Sequence, residues 1–177
     1  MKEKGITHVY TGDGKGKTTA ALGMALRGCG YGMKTAMIQF IKGTWHYGEL
    51  DGAKQLNGCL EIHPLGKGFV GIMGDKLPFE EHKKAAKNAL KVAREKMLSG
   101  EYSTIILDEV HNAIDLGLIS REEVLKLMDE KPEKVNLVLT GRNAPKEIIE
   151  KADLVSEVKM VKHYYNRGIK AIRGVEY

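Results

Sequence analysis

The stretch from Val9 to Thr19 constrains the fold more than any other part of the sequence; it reads Val-Tyr-Thr-Gly-Asp-Gly-Lys-Gly-Lys-Thr-Thr. An apolar strand over residues 6–10 runs into three alternating glycines, and an apolar helix follows. Glycines let consecutive backbone N–H groups converge at the helix N-terminus, where they can bind an anion. A merely tight turn would give the two lysines no role, so the stretch predicts a phosphate-binding loop.

The residues of this loop have separate expected roles. Lys17 would contact the outer phosphates of a nucleoside triphosphate, and Thr18 would offer its hydroxyl to Mg²⁺. The standard pattern G-x-x-x-x-G-K-[ST] has a glycine where this chain has Thr11, but the strand, glycines and helix still indicate triphosphate binding. The predicted nucleotide-binding residues are Gly12, Asp13, Gly14, Lys15, Gly16, Lys17, Thr18 and Thr19.

A second apolar strand, residues 103–107, ends in the paired acids Asp108 and Glu109. Mg²⁺ bound to a triphosphate needs a carboxylate opposite the phosphates, and this pattern is typical of that site. Surface acids at a strand end are the alternative. The position of the pair, about 90 residues after the Gly-Lys-Thr triplet, favours the metal site.

Strands and helices alternate along the chain, which predicts one domain over residues 1–177 with a three-layer α/β fold and a mostly parallel sheet. Ligands bind at the carboxyl ends of such strands. Lys42, Thr44, Trp45 and Glu49 follow the apolar run 35–41, so they are site candidates by position. Arg142 follows the run 135–139 and is predicted to grip a phosphate, with a surface arginine as the alternative.

The glycine-rich segment around residues 64–71 is either a flap over a ligand or a plain connection. Its apolar tip, Phe69, is a candidate ligand contact, with simple packing as an equal alternative. The basic tail over residues 162–177 is expected to cover an edge of the sheet.

Composition limits the classes of function. The net charge of +5 suits a polyanionic ligand and permits nucleic-acid contact without arguing for it. A row of basic residues on the longest predicted helix is interpreted as a solvated surface rather than a nucleic-acid site. The row is formed by Lys84, Lys87, Lys91 and Arg94.

The sequence has neither a membrane-spanning run nor a signal peptide, so a cytoplasmic location without membrane contact is expected.

Two cysteines, Cys29 and Cys59, lack any metal-ligand spacing. Each is predicted to be a small buried apolar residue, and a disulfide between them is the less favoured alternative. The six histidines include no pair at i, i+4, so a zinc site is not expected.

Four stretches, in order along nearly the whole chain, resemble the P-loop type of ATP:corrinoid adenosyltransferase. The stretch Gln-Phe-Ile-Lys-Gly-Thr-Trp is the most specific of them, because it is not a general nucleotide-binding motif. The closing Gly-Val-Glu-Tyr, residues 174–177, also fits. The stretches are residues 11–21; residues 39–45 with Gly48 and Glu49; residues 107–109; and residues 139–142 with Ala152, Asp153, Glu157, Lys162 and His163.

The resemblance implies a fold similar to RecA-type ATPases and a specific reaction. The family transfers the 5′-deoxyadenosyl group of ATP to the cobalt of a reduced corrinoid, either cob(I)alamin or cob(I)yrinic acid a,c-diamide, and releases triphosphate. Lys17, Glu109 and Arg142 are the implied catalytic residues. Thr18 and Glu109 are the implied Mg²⁺ ligands, with Asp108 behind them.

The resemblance also implies a corrinoid site formed by Lys42, Trp45, Glu49 and Phe69. Relatives use two aromatic side chains to displace the lower axial ligand of cobalt before its reduction. Phe69 matches one of them, and Gly71 stands at the position of the other. Relatives can carry an extra N-terminal helix over the corrinoid, so we expect this pocket to be more open or closed by another segment. A flavoprotein or reduced flavin as electron donor and a homodimeric assembly are implied as well.

Two other classes of function share the phosphate-binding loop. A RecA-like, nucleic-acid-stimulated ATPase would release ADP and phosphate, with steep salt dependence. A small-molecule kinase would release ADP and a phosphorylated acceptor. The reaction products therefore discriminate among the three classes.

Overall fold

The computed structural model describes residues 4–43, 45–72 and 74–177. Its centre is a sheet of six parallel strands in the order β3-β2-β4-β5-β1-β6. The parallel arrangement follows from the helical crossovers between consecutive strands. The strands are β1 (Thr7–Thr11), β2 (Thr35–Gln39), β3 (Leu60–Pro64), β4 (Thr104–Asp108), β5 (Asn136–Thr140) and β6 (Leu154–Glu157).

Helices connect the strands and cover both faces of the sheet. A capping box starts the helix that begins at Arg121, since the Ser120 hydroxyl accepts from the Glu123 N–H and the Glu123 carboxylate accepts from the Ser120 N–H. The helices are α1 (Lys17–Cys29), α2 (Gly48–Lys54), α3 (Phe79–Leu98), α4 (Val110–Asp115), α5 (Arg121–Asp129) and α6 (Lys146–Lys151), followed by a 3₁₀ helix (Tyr164–Arg167).

Two apolar layers lie on opposite faces of the sheet, as the period of two along each strand requires. Ile106 in β4 packs with Ala21 and Ala25 of α1 on one face. Its neighbours Ile105 and Leu107 face the other layer, which contains buried residues of α3, α4, α5 and α6. The three-layer α/β fold predicted from the sequence is confirmed.

The strand order brings the phosphate-binding loop and the paired acids to the same edge. β5 lies between β1, which leads into the loop, and β4, which ends at Asp108. The register aligns Tyr10 with Thr140 and Gln39 with Asp108. All these positions are at carboxyl ends of parallel strands. The residues that follow them, including the phosphate-binding loop and Glu109, therefore line the same crevice.

The prediction for the cysteines is wrong. Cys29 and Cys59 form a disulfide with Cα atoms 5.6 Å apart, and both residues are half-buried. The end of α1 lies beside the start of β3 because β3 pairs with β2; the Thr35 N–H donates to the Cys59 carbonyl at 2.8 Å. The separation of 30 residues in the sequence gives no sign of this proximity.

Small residues form the buried face of α1. Ala21 and Ala25 are buried, whereas Leu26 is 59% exposed. The helix therefore faces the sheet through small residues, which lets its backbone approach closely. The four basic residues along α3 are exposed, as predicted, and three of them pair with glutamates in surface ion pairs (Lys84–Glu81, Lys91–Glu95 and Arg94–Glu130). No helix among the described residues has both the length and the apolar character needed to span a bilayer.

Candidate functional site

The phosphate-binding loop has the backbone that its glycines allow. Gly16 is in the left-handed region with φ of 118° and ends the loop at the first turn of α1. Gly12 also has positive φ, and a Cβ there would lie 2.5 Å from the carbonyl oxygen of Val158. The Gly14 N–H donates to the same carbonyl at 2.7 Å. The segment after β6 therefore fixes the loop, and side chains at these positions would push the two apart.

Lys17 lies across the loop that contains it. Its ammonium donates to the carbonyl oxygens of Gly12 at 2.6 Å and Gly14 at 2.7 Å. Burial lowers the pKa of Lys17, and the nearby Arg142 guanidinium lowers it further, although neighbouring acids act in the opposite sense. Two neighbouring cations that repel each other form a site that favours a polyanion.

Asp108 is fully buried and joins three parts of the site. Its Oδ1 accepts hydrogen bonds from the hydroxyls of Thr18 and Thr140, each at 2.8 Å, and its Oδ2 accepts one from the Gln39 amide at 3.3 Å. The carboxylate thus fixes the Thr18 hydroxyl at the start of α1. Sequence reasoning missed Thr140 and Gln39 as site residues; they are the last residues of the observed strands β5 and β2.

Glu109 is held in an unusual backbone conformation beside Asp108. Its φ of 59° is uncommon for a residue other than glycine, and its N–H donates to the Thr140 hydroxyl at 2.9 Å. Burial and the charge of Asp108 raise the pKa of Glu109 to about 7, against the opposing effect of Lys42 and Lys17. Such local strain, together with a displaced pKa, is typical of functional positions.

Lys17 and Glu109 line a cavity of about 790 Å³ at the carboxyl edge of the sheet, and Asp108 lies behind its wall. Of the predicted nucleotide-binding residues in the loop, those from Asp13 to Thr19 line the cavity; Gly12 does not, and its carbonyl accepts from the Lys17 ammonium. Arg142 is exposed at its rim, and its N–H donates to the Asn112 side chain at 2.9 Å. Asn112, which the sequence did not indicate, also lines the cavity.

Lys42 and Glu49 form an ion pair of 2.5 Å on the wall of the cavity. Burial acts to lower the pKa of Lys42, but the charge of Asp108 and the hydrogen bond to Glu49 outweigh it and raise this pKa. The Lys42 ammonium also lies 4.6 Å from the centre of the Tyr47 ring. Lys42 is therefore a fixed cation at the boundary of the cavity.

A second cavity of about 180 Å³ adjoins the first and has aromatic walls. Trp45 and Phe69 meet edge to face with ring centres 6.0 Å apart, and they are 56% and 39% exposed. Phe69 is thus not a core residue. Lys42, Glu109 and Glu176 line both cavities. Thr44, a candidate by position, lies outside the described residues.

The tail, which was predicted to cover an edge of the sheet, lies at the edge formed by the carboxyl ends of the strands. Residues between 160 and 177 line the first cavity, where Lys15 of the loop lies 3.6 Å from the Glu176 carboxylate. The tail therefore crosses the carboxyl ends of the strands. The tail contains glycines and charged residues without periodicity, so its path could not be predicted from a sequence pattern. Only the resemblance of residues 174–177 to the family indicated that the tail lies near the nucleotide site.

The oxygen donors beside the loop fit Mg²⁺. The hydroxyl of Thr18 and the carboxylates of Asp108 and Glu109 are hard ligands, and no three or more His, Cys, Asp or Glu residues cluster as a metal site in the described part of the chain. Mg²⁺ is usually bound through one or two carboxylates, phosphates and water rather than by a protein cage. A divalent cation would also relieve the charge repulsion that raises the pKa of Glu109.

Comparison with solved structures supports the fold. The flagellar accessory protein FlaH from Methanocaldococcus jannaschii superposes with a TM-score of 0.53 at 15% identity, over 88% of this chain and 71% of that one. At this identity the likeness concerns the fold alone.

Comparison with protein families identifies the kind of enzyme. Residues 3–177 match the family described as ATP:corrinoid adenosyltransferase BtuR/CobO/CobP. A corrinoid adenosyltransferase from Sinorhizobium is 40% identical over 177 residues, which is 99% of this chain and 81% of the relative. A corrinoid adenosyltransferase from Escherichia coli K12 is 36% identical over 175 residues, 99% of this chain and 87% of the relative. The chain therefore belongs to the ATP:corrinoid adenosyltransferase family.

Proposed function

We propose that the protein transfers the 5′-deoxyadenosyl group of ATP to the cobalt of a reduced corrinoid and releases inorganic triphosphate. The substrate would be cob(I)alamin or cob(I)yrinic acid a,c-diamide, in the synthesis or salvage of adenosylcobalamin. The observation that carries the proposal is the junction of the two cavities. A site for phosphates shares walls with an aromatic pocket, so a group can pass between two bound substrates.

The chemistry needs no general base. The electron pair of Co(I) forms the cobalt–carbon bond at C5′, and the electrons of the broken C5′–oxygen bond leave with the triphosphate. Negative charge therefore grows on the triphosphate, and fixed positive groups in a water-poor site stabilise it. Lys17, the loop N–H groups and Arg142 are the groups that we assign to this role. Exclusion of water from the cavity would suppress hydrolysis of ATP.

We assign the Mg²⁺ site to Thr18 and Glu109, with Asp108 holding the Thr18 hydroxyl in place from behind. Mg²⁺ would neutralise charge on the departing triphosphate. The protein's own contribution is orientation, because the Asp108 carboxylate accepts from both Thr18 and Thr140 and so fixes the donor groups before substrates bind.

The products test the proposal. Incubation with Mg-ATP and a chemically reduced corrinoid, without oxygen, is expected to give a light-sensitive alkylcobalt spectrum and one triphosphate per alkylcobalt. ADP and phosphate without alkylcobalt would indicate an ATPase, and stimulation by DNA or RNA would indicate the RecA-like alternative. ADP with a phosphorylated acceptor would indicate a kinase.

We assign one face of the corrinoid to the exposed rings of Trp45 and Phe69, with Lys42 in the same pocket and Glu49 paired to Lys42 beside it. Two exposed aromatic rings in edge-to-face contact provide an apolar wall for a macrocycle. Phe69 would help to displace the lower axial ligand of cobalt. The reductant would be a flavoprotein or reduced flavin. A homodimeric state and a cytoplasmic location complete the proposal, and family membership supports them.

Phe69→Ala is expected to slow reduction of cobalt(II) by roughly 10-fold or more, while transfer to chemically pre-reduced corrinoid changes less than about 3-fold. The reason is that ring packing matters for ligand displacement and not for attack on C5′. Parallel assays with a reduced flavin and with a strong chemical reductant would separate the two steps. Phe79→Ala is the matched control, since Phe79 is 45% exposed and lines neither cavity. Equal slowing of both steps would rule out the ligand-displacement role.

A further inference from the structure

Three charged side chains line both cavities, and the reaction proposed above uses only two of them. Lys42 and Glu109 lie on the strand side of the junction, and Glu176 reaches it from the tail. The following inference rests on the proposed function. If the adenosyl group passes from the phosphate cavity to the aromatic pocket, its ribose must lie at this junction, close to Glu176.

The Glu176 carboxylate is held in place through one oxygen. Its Oε1 accepts from the Tyr164 hydroxyl at 2.5 Å and lies 3.6 Å from Lys15 Nζ and 3.8 Å from His163 Nε2. Backbone bonds fix the segment as well, because the Glu176 N–H donates to the Ile172 carbonyl at 2.9 Å. The hydrogen bond from Tyr164 lowers the pKa of Glu176, with smaller help from Lys15 and His163, so the group is anionic at neutral pH.

The second oxygen of this carboxylate has a different environment. No donor among residues 4–43, 45–72 and 74–177 contacts Glu176 Oε2, and the atom is not buried. The side chain as a whole is only 19% exposed. A fixed anion that presents one acceptor oxygen to a cavity repels phosphates, so the part of ATP that complements it is one that carries neutral hydrogen-bond donors.

We propose that Glu176 accepts hydrogen bonds from the ribose hydroxyls of ATP and thereby positions C5′ toward the aromatic pocket. The ribose is the part of ATP between the phosphates and the base, and its 2′- and 3′-hydroxyls are neutral donors. The cationic loop residues attract the phosphates, and the Glu176 carboxylate, 3.6 Å from Lys15 Nζ, repels phosphate oxygens and favours the neutral ribose beside the loop. Glu176 is thus a positioning residue that makes the enzyme specific for ribonucleotides over deoxyribonucleotides.

The test compares ATP with 2′-deoxy-ATP and 3′-deoxy-ATP in adenosyl transfer to chemically reduced corrinoid. The unaltered protein is expected to prefer ATP over at least one deoxy analogue by about 10- to 100-fold in kcat/KM, as for a hydrogen bond to a charged group. Glu176→Ala should lower kcat/KM for ATP by a similar factor and use ATP and that analogue equally within about 2-fold. Tyr164→Phe removes a hydrogen bond that holds the carboxylate, so it should reduce the preference without abolishing it, because the Glu176 carboxylate itself remains. The surface variant Glu150→Ala, whose side chain is 63% exposed, should match the unaltered protein.

Two results would overturn the assignment. One is a preference for ATP that persists in Glu176→Ala at its full size, which would place the ribose elsewhere. The other is a rise in KM for the corrinoid alone, which would make Glu176 an acceptor for groups on the macrocycle. Thermal melting of each variant identifies losses caused by unfolding. Failure of the proposed function is a separate outcome, since it would leave even the unaltered protein without an alkylcobalt product.

Discussion

Lys17→Ala is expected to lower the rate of adenosyl transfer by about 10²- to 10³-fold, the usual loss when one preorganised charge-stabilising group is removed. The ammonium lies at the centre of the phosphate-binding loop, within 2.7 Å of two of its carbonyl oxygens. Without a bound triphosphate, these carbonyls are its partners. When triphosphate leaves from C5′, its additional negative charge would lie in the phosphate-binding loop beside the Lys17 ammonium. Alanine at position 17 has no group that could stabilise this charge.

The measurement is single-turnover formation of alkylcobalt from pre-reduced corrinoid, followed spectroscopically, together with circular dichroism and melting. Lys146→Ala is the matched control, because its side chain is 86% exposed and pairs only with Glu150 on the surface of α6. We expect both variants to keep the fold, since the Lys17 side chain packs in no apolar layer of the sheet. Transfer at the normal rate by folded Lys17→Ala protein would exclude Lys17 from the mechanism.

The sequence could predict this part of the site because two local patterns place it. A glycine loop after a strand and a pair of acids after another strand each have a recognisable spacing. The rule that parallel strands end at one edge then brings them together. The hydrogen bond from Thr18 to Asp108, 90 residues apart, is the result. The same rule correctly grouped Lys42, Glu49 and Arg142 around one cavity.

What the sequence could not predict depends on contacts between distant segments without periodic patterns. The Cys29–Cys59 bond follows from the pairing of β2 with β3, which the spacing of the cysteines does not encode. The path of the tail depends on single contacts such as that between Lys15 and Glu176. The short helix α4 was missed because it begins directly after Glu109, whose left-handed backbone turns the chain within one residue.

Glu109→Gln is expected to have opposite effects on activity and on stability. Transfer should fall by roughly 100-fold, because a neutral amide replaces an anionic ligand of Mg²⁺ beside the triphosphate. The metal-free protein, in contrast, should gain about 1 to 3 kcal/mol in free energy of unfolding at pH 8, because the amide removes a half-buried charge that Asp108 repels.

The pH dependence shows why the gain is limited to alkaline conditions. The folded protein holds the pKa of Glu109 at about 7, above the ordinary value of 4.5, so between these values it binds more protons than the unfolded chain. Stability from this group is complete below pH 4.5 and is lost as the pH rises through 7. The melting temperatures of Glu109→Gln and the unaltered protein, measured without metal at pH 5 and pH 8, should therefore differ only at pH 8.

Added Mg²⁺ should reduce this difference in melting temperature. The control variant Glu80→Gln, on a side chain 74% exposed, should melt at the temperature of the unaltered protein. A lower melting temperature for Glu109→Gln at pH 8 would contradict repulsion of the half-buried Glu109 carboxylate by Asp108. It would also contradict the role of Glu109 as a ligand that is held ready for a cation.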